Sequence, residues 1–296
     1  MSQNYYYLVA GLKEYQMDSQ VKGFDALAIR DDISAQISSS DRKHLELLYR
    51  RYDIENILSA REGKSRHNLL GNISQENIAE LIEHPEKFDT PLSCVLNAYA
   101  EATRAQESGE TIDPFDSTPQ STIDVELPLS NQLWNTYYDM CAKSKSSFIR
   151  KWAEFEQITR NVIAATSARK SGIAPKDVVV GRGEIIELLA KSQAADFGLK
   201  EYVEYIDTLI QILDTPNILE REKRLDKMQW DMAEEFSTYD YFNMNRILCY
   251  LVKINIIDRW IKLDKAEGER LFRQLSNGLR ASDLVDSRSE ELTQKK

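Results

Sequence analysis

The histidines are the side chains in this sequence best suited to metal binding or proton transfer. There are three, His44, His67 and His84. None has a cysteine or carboxylate at the spacing of a metal-ligand set. His44 falls in the first turn of a predicted helix, and His84 directly precedes Pro85 at a helix end. These positions favour capping or surface roles, and the sequence predicts no metal site.

The cysteines could supply a nucleophile or a disulfide. Cys94, Cys141 and Cys249 lie far apart among apolar or helix-forming neighbours. Cys141 could act as a nucleophile only if a histidine approached it in space. Its place on an apolar stripe favours a core thiol instead. Because no disulfide framework is indicated, the cysteines predict a reducing compartment.

A glycine-rich turn is similar to a phosphate-binding loop. Gly181-Arg182-Gly183-Glu184 follows the apolar residues 178–180. The turn lacks the third glycine of the dinucleotide fingerprint and the Lys-Ser/Thr pair of a P-loop. We therefore expect it to be the turn that begins a helix, and we expect no cofactor.

Carboxylates are abundant, but acid–base catalysis needs a cleft that holds them together. Glu154 with Glu156, and Glu234 with Glu235, have the spacing of solvated helix faces. No catalytic, cofactor-binding or metal-binding residue is predicted. The sequence indicates a protein that binds other proteins and is not an enzyme, with a helical enzyme of unrecognised site as an alternative.

The composition is that of a soluble globular protein. The chain has 296 residues, of which 42% are hydrophobic and 29% charged, with 11 Gly and 7 Pro. Few turn residues favour long helices. A net charge of −10 argues against duplex DNA or an anionic lipid surface as the main partner, because both require clustered Lys and Arg. The N-terminus lacks the features of a signal peptide, so we expect a cytoplasmic protein.

Apolar residues recurring at helical spacing predict an all-α fold. The longest helices are expected at residues 41–60, 131–168 and 242–263. The last is long and apolar enough to span a bilayer, but charges such as Arg246 and Asp258 favour a buried core helix. Thr215 is expected to cap a further helix, with Pro216 at its first position. Shorter helices are predicted at 74–84, 184–190, 199–213 and 269–275.

Other segments lack this helical spacing. Residues 107–122 are acidic and rich in Pro, Ser and Thr, which indicates a linker or long surface loop. Residues after Asp283 are typical of a frayed polar tail. Strand character is confined to residues 4–12 and 178–180, so we expect no sheet. The tyrosine-rich start is equally typical of the first turn of a helix.

One pattern occurs three times along the chain. An aromatic-rich helix reaches an Asn followed by two apolar or small residues, and an Arg and a loop come next. The sites are Asn56 with Arg61, Asn161 with Arg169, and Asn255 with Arg259. The spacing suggests three related helical-bundle units of about 100 residues, although a helical protein can contain Asn-Ile-Ile by chance. The predicted divisions are units at 1–106, 123–198 and 199–283, a linker at 107–122 and a tail at 284–296.

The residues from 48 to 64 resemble the C subunit of V-type and A-type rotary ATPases, which is named d in eukaryotes. That family has a Tyr/Trp-Asp-x-x-Asn-hydrophobic element followed by a basic loop, which matches Tyr52, Asp53, Asn56 and Arg61 here. The opening residues 5–12 more closely resemble a divergent bacterial family of uncharacterised function that is associated with V-type ATPase operons. A gapless match of the last helix places Trp260 where the Asn of the family falls.

The resemblance implies a funnel-like, all-α socket on the cytoplasmic face of a membrane rotor ring. The socket would receive the rotor shaft and transmit torque for proton or sodium transport, with no catalysis of its own. Its partners would be the shaft and ring subunits, and it would bind no nucleic acid and insert no segment into the bilayer. The alternative is a helical adaptor or regulatory scaffold unrelated to a rotary motor.

The matched residues are expected to have structural roles. We expect the Asn and Arg side chains of the first two sites to tie helix ends to neighbouring loops through hydrogen bonds to the backbone. The alternative is that they are exposed polar residues at helix ends. The predicted structural residues are Tyr52, Asp53, Asn56, Arg61, Asn161 and Arg169.

Overall fold

The fold is all-α, as predicted. The computed structural model describes residues 4–17, 23–108 and 127–263, without the side chains of 105–108. Within these ranges there are eleven α-helices and no strand, and one isolated bridge joins Asn4 to Asn243. The helices are α1 (Tyr6–Gly11), α2 (Ala26–Gln36), α3 (Ser39–Arg61), α4 (Gln75–Glu83), α5 (Pro91–Ser108), α6 (Leu129–Ala142), α7 (Ser147–Lys170), α8 (Glu184–Lys191), α9 (Ile206–Leu213), α10 (Ile218–Phe236) and α11 (244–263).

Polar caps fix where several helices begin. The side chains of Ser38, Ser74 and Ser146 each accept a hydrogen bond from the backbone N–H three residues later. Such a bond satisfies one of the N–H groups that the first turn of a helix leaves without a partner. The helices predicted at 41–60 and 74–84 are confirmed, and the tyrosine-rich start forms α1.

The single long helix predicted for residues 131–168 is wrong, because the chain forms α6 and α7 with a break between them. The hydroxyl of Ser144 accepts from the backbone N–H of Ser146, and Ser146 in turn caps α7. Serine side chains thus compete with the helical hydrogen bonds at this point. The break lets α6 and α7 pack against each other.

Two predictions in the last third are also wrong. The N-cap of α10 is Asn217 rather than Thr215, since the Asn217 side chain accepts from the N–H of Glu220. Residues 199–205 form turns, and only Ile206–Leu213 of the helix predicted at 199–213 is α-helical. Gly183 is the N-cap residue of α8, which begins at Glu184, as expected for a helix-starting turn.

The longest helix of each predicted unit is α3, α7 or α11 in turn. These three helices run in the same direction. Ser144, just before α7, contacts His44 near the start of α3, with 3.3 Å between the Ser144 hydroxyl and Nδ1 of His44. At the start of α11, Asn245 accepts from the Ser146 hydroxyl at 2.8 Å. Midway along, Tyr49 of α3 donates to Asn255 of α11 at 3.1 Å. The three helices therefore begin at one end of the molecule and end together at the other.

One continuous hydrophobic core joins these helices, including Ile54, Trp152 and Leu248. The predicted unit divisions remain a prediction. Helix α5 continues to Ser108, into the start of the linker predicted at 107–122. The rest of that linker, the helix predicted at 269–275 and the tail at 284–296 lie outside the described residues.

Candidate functional site

The candidate site is a central cleft bordered by α3, α7, α10 and α11. Its largest part has a volume of about 510 Å³. Two neighbouring lobes have volumes of about 390 and 280 Å³. Gln229 of α10 borders all three parts, and Arg51, Glu55 and Trp152 border two of them. We call the three parts together the central cleft.

A partly buried ion pair joins α3 to α7 at one wall of the cleft. Arg51 lies 2.6 Å from Glu156, whose side chain is 12% exposed, and 3.6 Å from the exposed Glu55. Burial raises the pKa of Glu156 above its ordinary value, and the positive charge of Arg51 opposes that rise. The pair therefore places a charge of each sign between two helices that begin at the same end.

A second ion pair joins α10 to α11. Nη1 of Arg259 lies 2.8 Å from both carboxylate oxygens of Asp226, whose side chain is 2% exposed. Arg259 also pairs with Glu222. Burial raises the pKa of Asp226, and the guanidinium of Arg259 opposes the rise. Loss of Arg259 would leave the buried carboxylate of Asp226 without an ionic partner, whereas loss of Asp226 would leave Arg259 paired with Glu222 alone.

Three other arginines at the cleft are not part of an ion pair in the described residues. They are Arg66, Arg160 and Arg221, and each lines one part of the cleft. The charge of Arg160 nevertheless opposes the rise in the pKa of Glu156. The guanidinium of Arg160 instead stacks over the ring of Trp134, 3.8 Å from its centroid. The cleft therefore carries positive charge that its own carboxylates do not neutralise.

Tyr52 lines the cleft beside Arg51. Its ring lies 5.4 Å from the Arg51 guanidinium, and burial raises the pKa of Tyr52 to about 12. Tyr52 therefore stays protonated at neutral pH and acts as a neutral, partly buried wall residue.

Asn56 holds the loop after α3 through both groups of its amide. Its Oδ1 accepts from the backbone N–H of Asn68 at 2.7 Å, and its Nδ2 donates to the Asn68 carbonyl at 3.0 Å. Asn56 is 3% exposed. One side chain thus satisfies both polar groups of one loop residue, and we call this arrangement an amide clamp.

Asp53, one helical turn earlier, holds the next part of the same loop. Its carboxylate accepts from the backbone N–H groups of Asn72 and Ile73, and from the Asn72 side chain. Burial raises the pKa of Asp53, and these hydrogen bonds oppose the rise. A Cβ on Gly71 would lie 2.8 Å from Oδ1 of Asp53 and 2.9 Å from Nδ2 of Asn56. Only glycine allows the loop to approach this closely.

Asn161 forms the same amide clamp on the loop after α7. Its Oδ1 accepts from the N–H of Val180 at 2.8 Å, and its Nδ2 donates to the Val180 carbonyl at 2.7 Å. Arg169 donates to the carbonyls of Ala194 and Ser192. The hydrogen bonds to loop backbone expected of Asn56, Asn161 and Arg169 are therefore present.

Arg61 makes a different contact from the one expected. Its guanidinium lies 5.7 Å from the centroid of the Tyr99 ring on α5 and forms no hydrogen bond to loop backbone in the described residues. The Arg169 guanidinium also covers an aromatic ring, that of Phe197, at 3.7 Å. The shared feature of these two arginines is thus a cation over a ring.

The third site of the internal pattern does not form a clamp. Asn255 bonds to Tyr49 rather than to a loop. Ser146 at the start of α7 bonds to Asn245 at the start of α11, so equivalent positions in the two helices are 99 residues apart. Asn255 is only 94 residues after Asn161 and therefore does not occupy the equivalent position. An offset of 99 places Trp260 opposite Asn161, and an indole cannot hold a peptide group as an amide does.

The comparisons with known proteins identify one family. The model of the family described as "Protein of unknown function (DUF2764)" matches residues 1–282. The chain belongs to the DUF2764 family. Comparison with the curated proteins and with the solved structures finds no match. In the described part of this DUF2764 chain, no helix is both long and apolar enough to cross a membrane.

Cys141 and His44, which were considered for chemistry, do not line the cleft. Cys141 is 1% exposed, and burial raises the pKa of its thiol to about 12, which is typical of an unreactive core cysteine. Burial lowers the pKa of His44. Residues 4–17, 23–108 and 127–263 contain no group of three His, Cys, Asp or Glu that could hold a metal ion.

Two carboxylates of the DUF2764 chain, Glu156 in the cleft and Glu234 outside it, have partners that sequence reasoning did not find. Glu156 was predicted on a solvated face and instead pairs with Arg51, and Glu234 is only partly exposed and pairs with Arg246 and Lys253. Glu154 and Glu235 are exposed, as predicted. The spacing along the sequence could have identified the pair of Arg51 and Glu156. Arg51 and Glu156 are 105 residues apart, as are Asn56 and Asn161.

Proposed function

We propose that this chain is the non-catalytic socket subunit of the central stalk in a V-type or A-type rotary ATPase. In this role it couples the rotor shaft to the membrane rotor ring. It would lie in the cytoplasm, peripheral to the inner membrane through its contacts with the complex. The resemblance of residues 48–64 to the C subunit of these motors, and of residues 5–12 to a family associated with V-type ATPase operons, supports this assignment.

The observation that carries the proposal is the repeated amide clamp on α3 and α7. Both helices run in the same direction, border the same cleft and hold the loop that follows them by the same two bonds. A buried, fully paired amide restricts the loop more than a solvated one does. A part that transmits torque needs helices and loops that keep their relative positions under load.

The central cleft supplies a place for the shaft. It lies between helices from the first, second and third predicted units, so an inserted segment would contact all three. Arg51 and Trp152 line the same two parts of the cleft, and arginine and tryptophan are enriched at protein-binding surfaces. Under this proposal, the shaft contacts the cleft and the ring contacts another face.

The decisive experiment is affinity purification from membranes that contain the assembled motor. Tagged wild-type protein is expected to recover both shaft and ring subunits. Recovery of neither, from membranes in which the motor is shown to be intact, would overturn the proposal and leave the helical adaptor as the better assignment. A tagged helical protein of similar size and charge serves as the control.

One variant is designed to weaken the contact with the shaft and to leave the contact with the ring intact. Gln229→Trp places a large ring where the three parts of the cleft meet and is expected to reduce recovery of the shaft while ring subunits are retained. Gln75→Trp, at the exposed start of α4, is the matched control and should change neither. Equal recovery of the shaft by both variants would contradict the role of the cleft.

A further inference from the structure

The positive charge of the central cleft contrasts with the charge of the whole chain. The protein has a net charge of −10. The carboxylates that line the cleft are all engaged: Glu55 and Glu156 with Arg51, Glu222 and Asp226 with Arg259, and Asp258 with Lys262. Arg66 and Arg221 remain without carboxylate partners in the described part of the chain, and Arg160 forms no ion pair there, although its charge opposes the rise in the pKa of the neighbouring Glu156. The excess charge of the cleft is therefore cationic.

The stability of α10 does not explain why Arg221 lies in its first turn. Arg221 lies in the first turn of α10, where the helix dipole disfavours a positive charge. Lys170 and Lys262, by contrast, lie in the last turns of α7 and α11, where the dipole favours a cation. A residue that breaks the local rule beside a cavity is a candidate for binding.

The side-chain amide of Gln229, where the three parts of the cleft meet, is also available to bind a partner. The half-buried amide of Gln229 borders all three parts of the cleft and forms no hydrogen bond with the described residues. An amide can donate to a carboxylate or carbonyl oxygen. Gln229 thus adds a donor to the three arginines.

The volume of the cleft limits what can enter it. A helix about 10 Å in diameter with a rise of 1.5 Å per residue displaces on the order of 120 Å³ per residue. The three parts of the cleft, at about 510, 390 and 280 Å³, therefore accept only a short length of helix. The occupant is the end of a segment and not a long stretch of helix.

We propose that the central cleft binds the terminal turn of an acidic protein segment, with its carboxylates on Arg66, Arg160 and Arg221. The C-terminal end of a helix suits this site best, because its carboxylate and the negative end of its dipole add to acidic side chains. If the proposed function holds, on which the identity of the partner rests, this segment is the tip of the rotor shaft.

The first test uses a defined peptide. The probe is a labelled, alanine-rich helical peptide with three Glu residues in its last turn and a free C-terminus, and its counterpart has three Lys residues. Fluorescence anisotropy is expected to detect binding of the Glu peptide, and raising the salt from about 0.05 to about 0.5 M should weaken it. Equal binding of the two peptides, or no binding of the Glu peptide, would overturn the proposal.

The second test changes the arginines. In the double variant Arg66→Glu and Arg221→Glu, we expect the Glu peptide to bind about tenfold more weakly. The first change is on an exposed loop, and the second places a carboxylate where the helix dipole favours it, so the fold should be retained. Arg104→Glu with Lys176→Glu, two exposed residues away from the cleft, makes the same charge change and should leave binding unaltered.

The purified rotor shaft distinguishes the two proposals. Shaft binding that weakens in the Arg66 and Arg221 double variant, and not in the control, supports both. Shaft binding unchanged by the double variant overturns the acidic-tip inference and leaves the socket function standing. Binding of the Glu peptide without any binding of the shaft overturns the socket function and leaves the chemistry of the cleft standing.

Discussion

The amide clamp depends on a property of asparagine that few side chains share. An amide has both a donor and an acceptor on one rigid plane, so it can pair with the N–H and the carbonyl of one residue. Asn161 and its partner Val180 are both buried, at 1% and 4% exposure. Without the clamp, the two backbone groups of Val180 would lie in the core with few partners, which is costly.

The substitution Asn161→Asp tests the clamp directly. The carboxylate keeps the acceptor for the Val180 N–H but loses the donor for its carbonyl and adds a buried charge. We expect the free energy of unfolding to fall by about 1–3 kcal/mol at pH 7. Burial should raise the pKa of the new carboxyl, so the loss is full above that pKa and shrinks as the pH falls and a donating O–H forms. Urea unfolding at pH 7 and at about pH 4 measures both effects.

Asn77→Asp is the control for this prediction. Asn77 is exposed near the start of α4, where an acidic side chain is tolerated or favoured. It should change stability little at either pH. A loss for Asn161→Asp that matched the control, or that grew on acidification, would contradict the clamp.

Among the helices, the start of α7 depends on one serine with two functions. Ser146 caps α7 by accepting from the N–H of Ile149, and its hydroxyl donates to Asn245 at the start of α11. Ser74 caps α4 in the same way, and its side chain makes no hydrogen bond to another helix in the described residues. The two serines therefore differ by one hydrogen bond between helices.

We expect Ser146→Ala to destabilise the protein more than Ser74→Ala. Loss of an N-cap costs about 1 kcal/mol, and the bond from Ser146 to Asn245 adds about 1 kcal/mol more. Chemical denaturation of the two variants and the wild type gives both values. Equal losses would mean that the contact between α7 and α11 contributes nothing measurable.

Glu234 links α10 to α11 and makes stability depend on pH. Burial works against the charged carboxylate, but hydrogen bonds from Lys253 and Arg246 outweigh it and hold the pKa of Glu234 below its ordinary value. A lowered pKa in the folded state contributes stability above the unfolded value of about 4.3, and this contribution is lost as the pH falls. Glu234→Gln should therefore be less stable than the wild type at pH 7, with the difference shrinking below about pH 4.

The neighbouring residue supplies the control for Glu234. Glu235 is exposed and forms no ion pair in the described residues. Thermal unfolding of Glu235→Gln should follow the wild type across the same pH range. If both variants show the same pH profile, the links to Lys253 and Arg246 are not the cause.

The helices were largely predictable, and their interruptions were not. Apolar spacing is enough to locate α3 and α11, because amphipathic helices repeat every 3.6 residues. The break before α7 is hidden by that same spacing. Cys141 and Phe148 are seven residues apart, two turns of a continuous helix, and both are buried although the helix stops between them.

The site was predictable only in part for a different reason. Asn56 and Asn161 stand out in the sequence, but their partners Asn68 and Val180 do not, because the loops differ in length. Carboxylates such as Asp226 look solvated on an amphipathic helix until the neighbouring helix supplies an arginine. A cleft formed by four helices follows from packing between distant segments, which local patterns do not specify.

For the molecule as a whole, the continuous core predicts cooperative unfolding. Buried residues from all three predicted units belong to one hydrophobic cluster. All four tryptophans, Trp134, Trp152, Trp230 and Trp260, lie in the second and third units, whereas the exposed Cys94 lies in the first. Tryptophan fluorescence and a dye on Cys94 therefore report on different units.

We expect the two probes to give the same unfolding midpoint in urea, and far-UV circular dichroism to agree with both. Cys141 and Cys249 are each 1% exposed and should not react with the dye in the folded protein. Cys94→Ser protein treated with the same dye is the control for labelling of the other cysteines. Separate midpoints would mean that the units unfold independently.

The two amide clamps enclose loops of unequal size. Asn56 and Asn68 are 12 residues apart, whereas Asn161 and Val180 are 19 apart. Because closing the longer loop costs only about 0.4 kcal/mol more by chain statistics, the anchored end fixes the loop regardless of how many residues intervene. The turn at 171–177, none of whose residues lines the cleft, is consequently a place where an epitope or fluorescent module could be inserted without disturbing the cleft.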